Sequence, residues 1–239
     1  MKVEYGSFKY KLLVAMMLAG EYPYKSLDLC RESDARKKNS ISELKNAGII
    51  TTATAYDIKR IRFKMFNKRK GEFADELFDG GAEYKPDIHE NGLSRLERKD
   101  RIAEIIIMML EAGINVTPDL KPKPDCEKAL EQNASCLPYF ITSREAREAI
   151  TIKEDKGKGA RFHGTLVSAG GMYNIYNMGS IKMGWIRPAE KTAIDFNEQY
   201  QKRMIPWGNN YAEWYGKSAI ILSRNLCYIN DFIKGKIDL

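Results

Sequence analysis

Only two histidines occur in the 239 residues, His89 and His163, and they stand far apart. Cysteine is nearly as scarce. Cys30, Cys126, Cys136 and Cys227 form no CxxC pair and no Cys/His cluster. A structural zinc site needs four close ligands, so none is expected. Isolated cysteines suit a reducing cytoplasm, where they pack as small hydrophobes. Long apolar runs are missing too. The stretch 12–19 is apolar but too short to span a bilayer, and no signal peptide is visible. The chain is therefore expected in the cytoplasm, away from membranes. No P-loop, GxGxxG or GxSxG is present, and Gly157-Lys158-Gly159 lacks the spacing and the following hydroxyl of a phosphate cradle. A DNA-nicking tyrosine normally works beside a metal-binding histidine cluster. Without one, Tyr173, Tyr176, Tyr211 and Tyr215 read as core or interface residues, as do Trp185, Trp207 and Trp214. No cofactor and no metal are implied.

What is present is positive charge in one place. Residues 1–70 hold 16 Lys/Arg against 7 Asp/Glu, a net of +9; residues 71–239 hold 23 against 25, a net of −2. One-sided charge of this kind is the footprint of a polyanion partner, or of a solvated face that serves solubility. The 44% apolar content is that of a folded protein.

The same first third carries helical punctuation. Phe8, Leu12, Ala15, Met16 and Ala19 recur at helical spacing after Ser7, and Gly20 ends the run. Tyr22-Pro23-Tyr24 turns the chain into a short helix over 24–30. Ser33 suits the N-cap of a third helix over 34–47, closed by Gly48. Three short helices with tight connections predict a helix-turn-helix. Ile41 and Leu44 mark one side of the third helix, with Lys37 or Lys38 one turn earlier. Arg36, Lys37, Asn39, Ser40 and Glu43 offer polar groups to the other. Arg and Asn read guanine and adenine edges, while Lys and Ser serve phosphates. Two strand-like runs follow, 49–52 and 58–64, joined through 53–57. Lys59, Arg60, Arg62 and Lys64 would line this hairpin, with Lys68, Arg69 and Lys70 beyond. The run "SISELKNAGIIT" resembles the end of the recognition helix and the start of the wing in winged-helix proteins. That resemblance covers 7–66 and implies duplex DNA contacts from Arg36, Lys37, Lys38, Asn39, Ser40, Lys59, Arg60, Arg62 and Lys64. A winged helix used for protein contacts is the competing reading.

Residues 67–92 read as a polar connector with a short helix over 72–78. A strong helix follows over 94–112; its 102–110 segment is apolar nearly all round and should be buried. Arg95, Arg98, Lys99 and Arg101 precede that segment, facing DNA or solvent. Pro118, Pro122 and Pro124 interrupt the chain. Beyond them, Ser143 caps a helix to about 151. Strands read over 161–168, 172–177 and 181–186, with Gly170-Gly171 turning between the first two. A helix over 189–203, a strand over 218–223 and a helix over 226–234 complete the pattern. This order resembles the PD-(D/E)xK nuclease-like core over 143–223. The copy lacks the family's acids: Lys182 has Ser180 two residues before it, the second strand offers Asn174 and Asn177, and Glu190 lies outside the motif. No catalytic residue is therefore assigned. The winged helix together with "RIAEIIIMMLEAGI", "YFITSREAREAI" and "GTLVSAGGMYNIYNMGSIKMGW" also resembles winged-helix proteins of Gram-positive mobile and conjugative elements, of the replication-relaxation kind.

The expectation is an α+β chain: a winged helix-turn-helix over 1–70, a helical connector over 71–142 and a small mixed α/β domain over 143–239. The function that follows is non-enzymatic binding of double-stranded DNA for a mobile element, in transcription, replication or conjugative processing. Other proteins of the same element are possible partners. The alternatives are a metal-dependent nuclease with atypical ligands and a protein-interaction module.

Overall fold

The computed structural model describes residues 3–64, 73–78, 92–122, 136–149, 163–169, 171–179, 193–194, 197–198, 218–225, 227 and 230. The chain is of the α+β class and divides into two compact units, Met1–Asp119 and Leu120–Leu239. Three segments were expected. The helix placed in the connector instead packs on the first helix of the chain, so it belongs to the first unit.

In that unit, helix α1 spans Phe8–Ala19. Ser7 caps it by accepting from the Tyr10 N–H at 3.2 Å, and the Gly20 N–H closes it on Met16 O at 2.8 Å. Leu12 to Ala19 are all buried, because a helix that is apolar all round must be covered on every side. Strand β1 (Glu21–Pro23) follows, where only a turn was expected. Proline is tolerated there because β1 is a sheet edge. The expected short helix is a 3₁₀ helix, Tyr24–Leu29. Helix α2 spans Asp34–Asn46, with the Ser33 hydroxyl accepting from Arg36 N at 3.4 Å. It ends in paired bonds from Ile49 N to Leu44 O and from Gly48 N to Lys45 O, with Gly48 at φ +71°. That reversal needs a residue without a Cβ penalty. Strands β2 (Ile50–Ala55) and β3 (Ile58–Phe63) then pair antiparallel through a two-residue turn, not the five-residue link expected. The sheet order is β1-β3-β2.

Residues 73–77 form a short helix, and helix α3 spans Leu93–Glu111. Ile105, Ile106 and Ile107 of α3 are fully buried, as its apolar segment requires. Two acids one turn apart on α3 anchor the helix to the unit. Asp100 pairs with Arg60 of β3, and Glu104 accepts from the Ser26 hydroxyl of the 3₁₀ helix at 2.5 Å. Among the described residues, no helix is long and apolar enough to cross a membrane.

The second unit holds a four-stranded sheet of order β4-β5-β6-β7: Tyr139–Thr142, Gly164–Ser168, Gly171–Asn177 and Ser218–Leu222. The first two pairings are antiparallel and the last is parallel. Strand β4 was not anticipated. Its Thr142, and not Ser143, caps helix α4 (Ser143–Ala149). The Thr142 hydroxyl accepts from Glu145 N at 3.2 Å, while Glu145 Oε2 accepts from Thr142 N at 2.8 Å, a reciprocal capping box. Ser168 pairs with Gly171, so Gly171 lies in the strand and not in the turn. The strand expected over 181–186, with Ser180, Lys182 and Trp185, lies outside the described residues. So do Glu190, most of the helix expected over 189–203, and Lys68, Arg69 and Lys70.

Candidate nucleic-acid interface

The phase of α2 is set by its three buried residues, Lys37, Ile41 and Leu44, which recur at i, i+4 and i+7. At about 100° per residue, the opposite side is centred on Ala35, Asn39, Ser42 and Asn46. All four are exposed. Lys38 flanks this strip on one side, with Arg36 and Glu43 on the other, and all three are exposed. Ser40 is half-buried and lies nearer the core. Arg36 is drawn toward the Glu32 carboxylate at 3.4 Å, and Glu43 is held by Lys9 of α1.

Lys37 faces inward. Its ammonium donates to the carbonyls of Leu27 at 3.0 Å and Cys30 at 3.4 Å, and it lies 2.9 Å from Asp34. It thereby ties α2 to the end of the 3₁₀ helix. The Lys37 ammonium also holds the Asp34 carboxyl below the usual carboxylate range. The residues of β3, with Lys64 just beyond it, divide in the same way. Lys59, Arg62 and Lys64 are exposed, and the Lys59 ammonium sits 4.4 Å from the centre of the Tyr24 ring. Arg60 is 1% exposed. Its guanidinium grips Asp100 with two bonds, of 3.1 and 2.9 Å, and donates to the carbonyls of Ala55 and Ile58. Burial raises the Asp100 carboxyl in spite of this pairing. Lys37 and Arg60 are thus structural cations rather than surface charges. Two of the nine anticipated contacts are turned into the protein by the groups they neutralise.

Ala35, Ser42 and Asn46 escaped the sequence reading, which gathered adjacent polar residues. The signal that finds them is the phase of Ile41 and Leu44 projected through the helix axis. On α3, Arg95 is exposed, Lys99 is buried, and Arg101 pairs with Glu97 at 3.3 Å.

The charge of the whole unit is less one-sided than that of its first 70 residues. Residues 1–119 carry 21 Lys/Arg against 19 Asp/Glu, a net of +2, because the segment 71–119 is acidic. The positive footprint is therefore local: Arg36, Lys38, Lys59, Arg62 and Lys64 are exposed on α2 and the hairpin, with Lys25 and Arg31 exposed just before α2.

Among the described residues, no group of three or more His, Cys, Asp or Glu side chains could hold a metal ion. His163 is buried beside β5 and accepts the Asn177 N–H on Nδ1 at 3.1 Å. Asn174, Thr165 and Asn197 join through hydrogen bonds of 3.0 to 3.3 Å. Tyr176 is buried and Tyr173 half-buried in the same sheet. Comparison with protein-family models, with curated proteins and with solved structures gives no match.

Proposed function

We propose that the first unit is a winged helix-turn-helix that binds double-stranded DNA, with α2 in the major groove and the β2–β3 hairpin as the wing. One observation carries the reading: the solvent side of α2 presents exposed amides flanked by Arg36 and Lys38, and the hairpin that follows presents the exposed cations Lys59, Arg62 and Lys64, while the inner sides are packed. The order α1, β1, 3₁₀ helix, α2, β2, β3, with the sheet order β1-β3-β2, supports it. In this reading Lys38, Arg62 and Lys64 meet phosphates, Lys59 and Arg36 flank them, and α3 backs the unit through Asp100 and Glu104. In this reading the role is non-enzymatic, and the resemblance to proteins of conjugative elements supports a part in transcription, replication or conjugative DNA processing. The second unit enters as a mixed α/β domain without an assigned catalytic residue.

Salt-titrated fluorescence anisotropy on a random duplex tests the proposal. Affinity is expected to fall linearly on a log–log plot, and each of Lys38→Ala, Arg62→Ala and Lys64→Ala to reduce the slope by about 0.9. Absence of duplex binding at low salt, or binding indifferent to all three substitutions, overturns it.

A further inference from the structure

Resting on that reading, we propose that α2 selects duplex DNA with A·T pairs at the centre of its site, through Asn39, Ala35 and Ser42. The fold keeps cations away from the outward centre of α2. Lys37 is inside, and Arg36, the only arginine of α2, sits roughly 100° from the core-facing direction, short of the strip's centre, beside Glu32. The strip that faces outward is uncharged: Ala35, Asn39 and Ser42 at i, i+4 and i+7. From Ala35 to Ser42 it runs about 10.5 Å along the helix axis, roughly three base-pair steps.

The chemistry of these three side chains is not neutral between bases. An asparagine amide matches adenine, donating to N7 while its carbonyl accepts from N6. An alanine methyl packs on the thymine C5-methyl, and a serine hydroxyl accepts either base. Guanine is read best by a bidentate Arg or Lys, and the centre of the strip carries neither. The surrounding cations, Lys38, Arg62 and Lys64, supply the affinity for phosphate that brings this uncharged strip to the base edges.

The full-length chain is used to select from a random duplex library, and the enriched site is resynthesised with 7-deazaadenine in place of each adenine in turn. A·T pairs are expected at the centre of the enriched site. One 7-deaza position is expected to weaken wild-type binding and to have no further effect in Asn39→Ala. Asn39→Ala itself should lose about 5- to 150-fold on the selected site. Its loss on unselected duplex should be smaller than on the selected site, because the lost contact is to a base edge and not to a phosphate. Replacing the central thymine with deoxyuracil should weaken binding through loss of the methyl that meets Ala35. A site enriched in central G·C pairs, or equal 7-deaza penalties in wild type and Asn39→Ala, overturns the inference while the DNA-binding reading stands. No retention of any duplex overturns both.

Discussion

The two arginines of β3 meet opposite fates. Arg60 and Arg62 both lie in a basic strand, two positions apart, where strict alternation would put them on one face. Arg60 is nonetheless enclosed by Asp100 and two carbonyls, and Arg62 is exposed. Removing one partner of a buried pair leaves the other charged in a dry site, so Arg60→Ala should cost about 3–5 kcal/mol. Arg62→Ala should change stability by less than about 0.5 kcal/mol and act on DNA affinity alone. Lys37→Ala should also destabilise, though less, by about 1–3 kcal/mol as the Leu27 and Cys30 carbonyls lose their donor. Urea midpoints for the three variants decide the matter. Equal midpoints for Arg60→Ala and Arg62→Ala would contradict the buried pairing.

Cys30 offers a second residue-scale test. Burial pushes its thiol up from 9.0 to about 11. The fold thus favours the neutral thiol, and this contribution is whole below pH 9 and lost as the pH climbs through 11. A thiol raised this far carries about 100-fold less thiolate near neutrality. In the native protein at pH 8, alkylation should therefore modify the exposed Cys227 and spare Cys30 until denaturant is added. Between pH 9 and 11 the urea midpoint should fall less in Cys30→Ala than in wild type. Rapid native alkylation of Cys30 would show that the end of the 3₁₀ helix opens.

Among the elements, the β2–β3 hairpin turns on Tyr56 and Asp57, at φ +50° and +58°. Such a turn suits the right-handed twist of the strands and favours Asn-Gly. A non-glycine residue in this conformation costs about 1–2 kcal/mol. Asp57→Gly should accordingly stabilise the first unit by up to about 1 kcal/mol. It should do so without weakening DNA binding, since it removes a negative charge from the hairpin tip. At the end of α2 the sign reverses. A Cβ at Gly48 meets nothing within 4 Å, yet φ is +71°. Gly48→Ala should cost about 1 kcal/mol through backbone conformation alone. In the second unit Gly164 is constrained by space: its Cβ would lie 2.3 Å from the Ile141 carbonyl and 2.4 Å from the Phe140 ring. Gly164→Ala should cost about 3 kcal/mol, the upper range for overpacking, because the carbonyl it strikes is fixed in the β4–β5 ladder. Thermal unfolding of the two variants would separate a small conformational cost from a large steric one.

For the whole molecule, net charge does not single out the first unit. The first unit nets only +2, and the second, with 18 Lys/Arg against 13 Asp/Glu, nets +5. If the five exposed cations of α2 and β3 carry the phosphate contacts, the salt slope of the full chain should not exceed about 4.5 per chain. A steeper slope would bring further basic residues onto the DNA, the exposed Lys25, Arg31 and Arg95 of the first unit among them.

The sequence by itself determined the elements whose signals are local. Ser7, Gly20, Ser33 and Gly48 bound α1 and α2 to within a residue, because caps act through backbone groups three or four residues away. The all-round apolar run of α3 announced its own burial. Short or non-local features were decided by tertiary structure. Strand β1 has three residues and a proline, and exists because β3 is there to pair with it. Strand β4 became visible only once β5 lay beside it. The same holds for the candidate interface. Composition marked a basic region and the helix that carries its amides. Whether a given Lys or Arg faces water or a carboxylate depended on Asp100, 40 residues beyond Arg60, and on the carbonyls at the end of the 3₁₀ helix. A cation's partner is selected by distance in space, and the linear pattern of charges does not encode that distance.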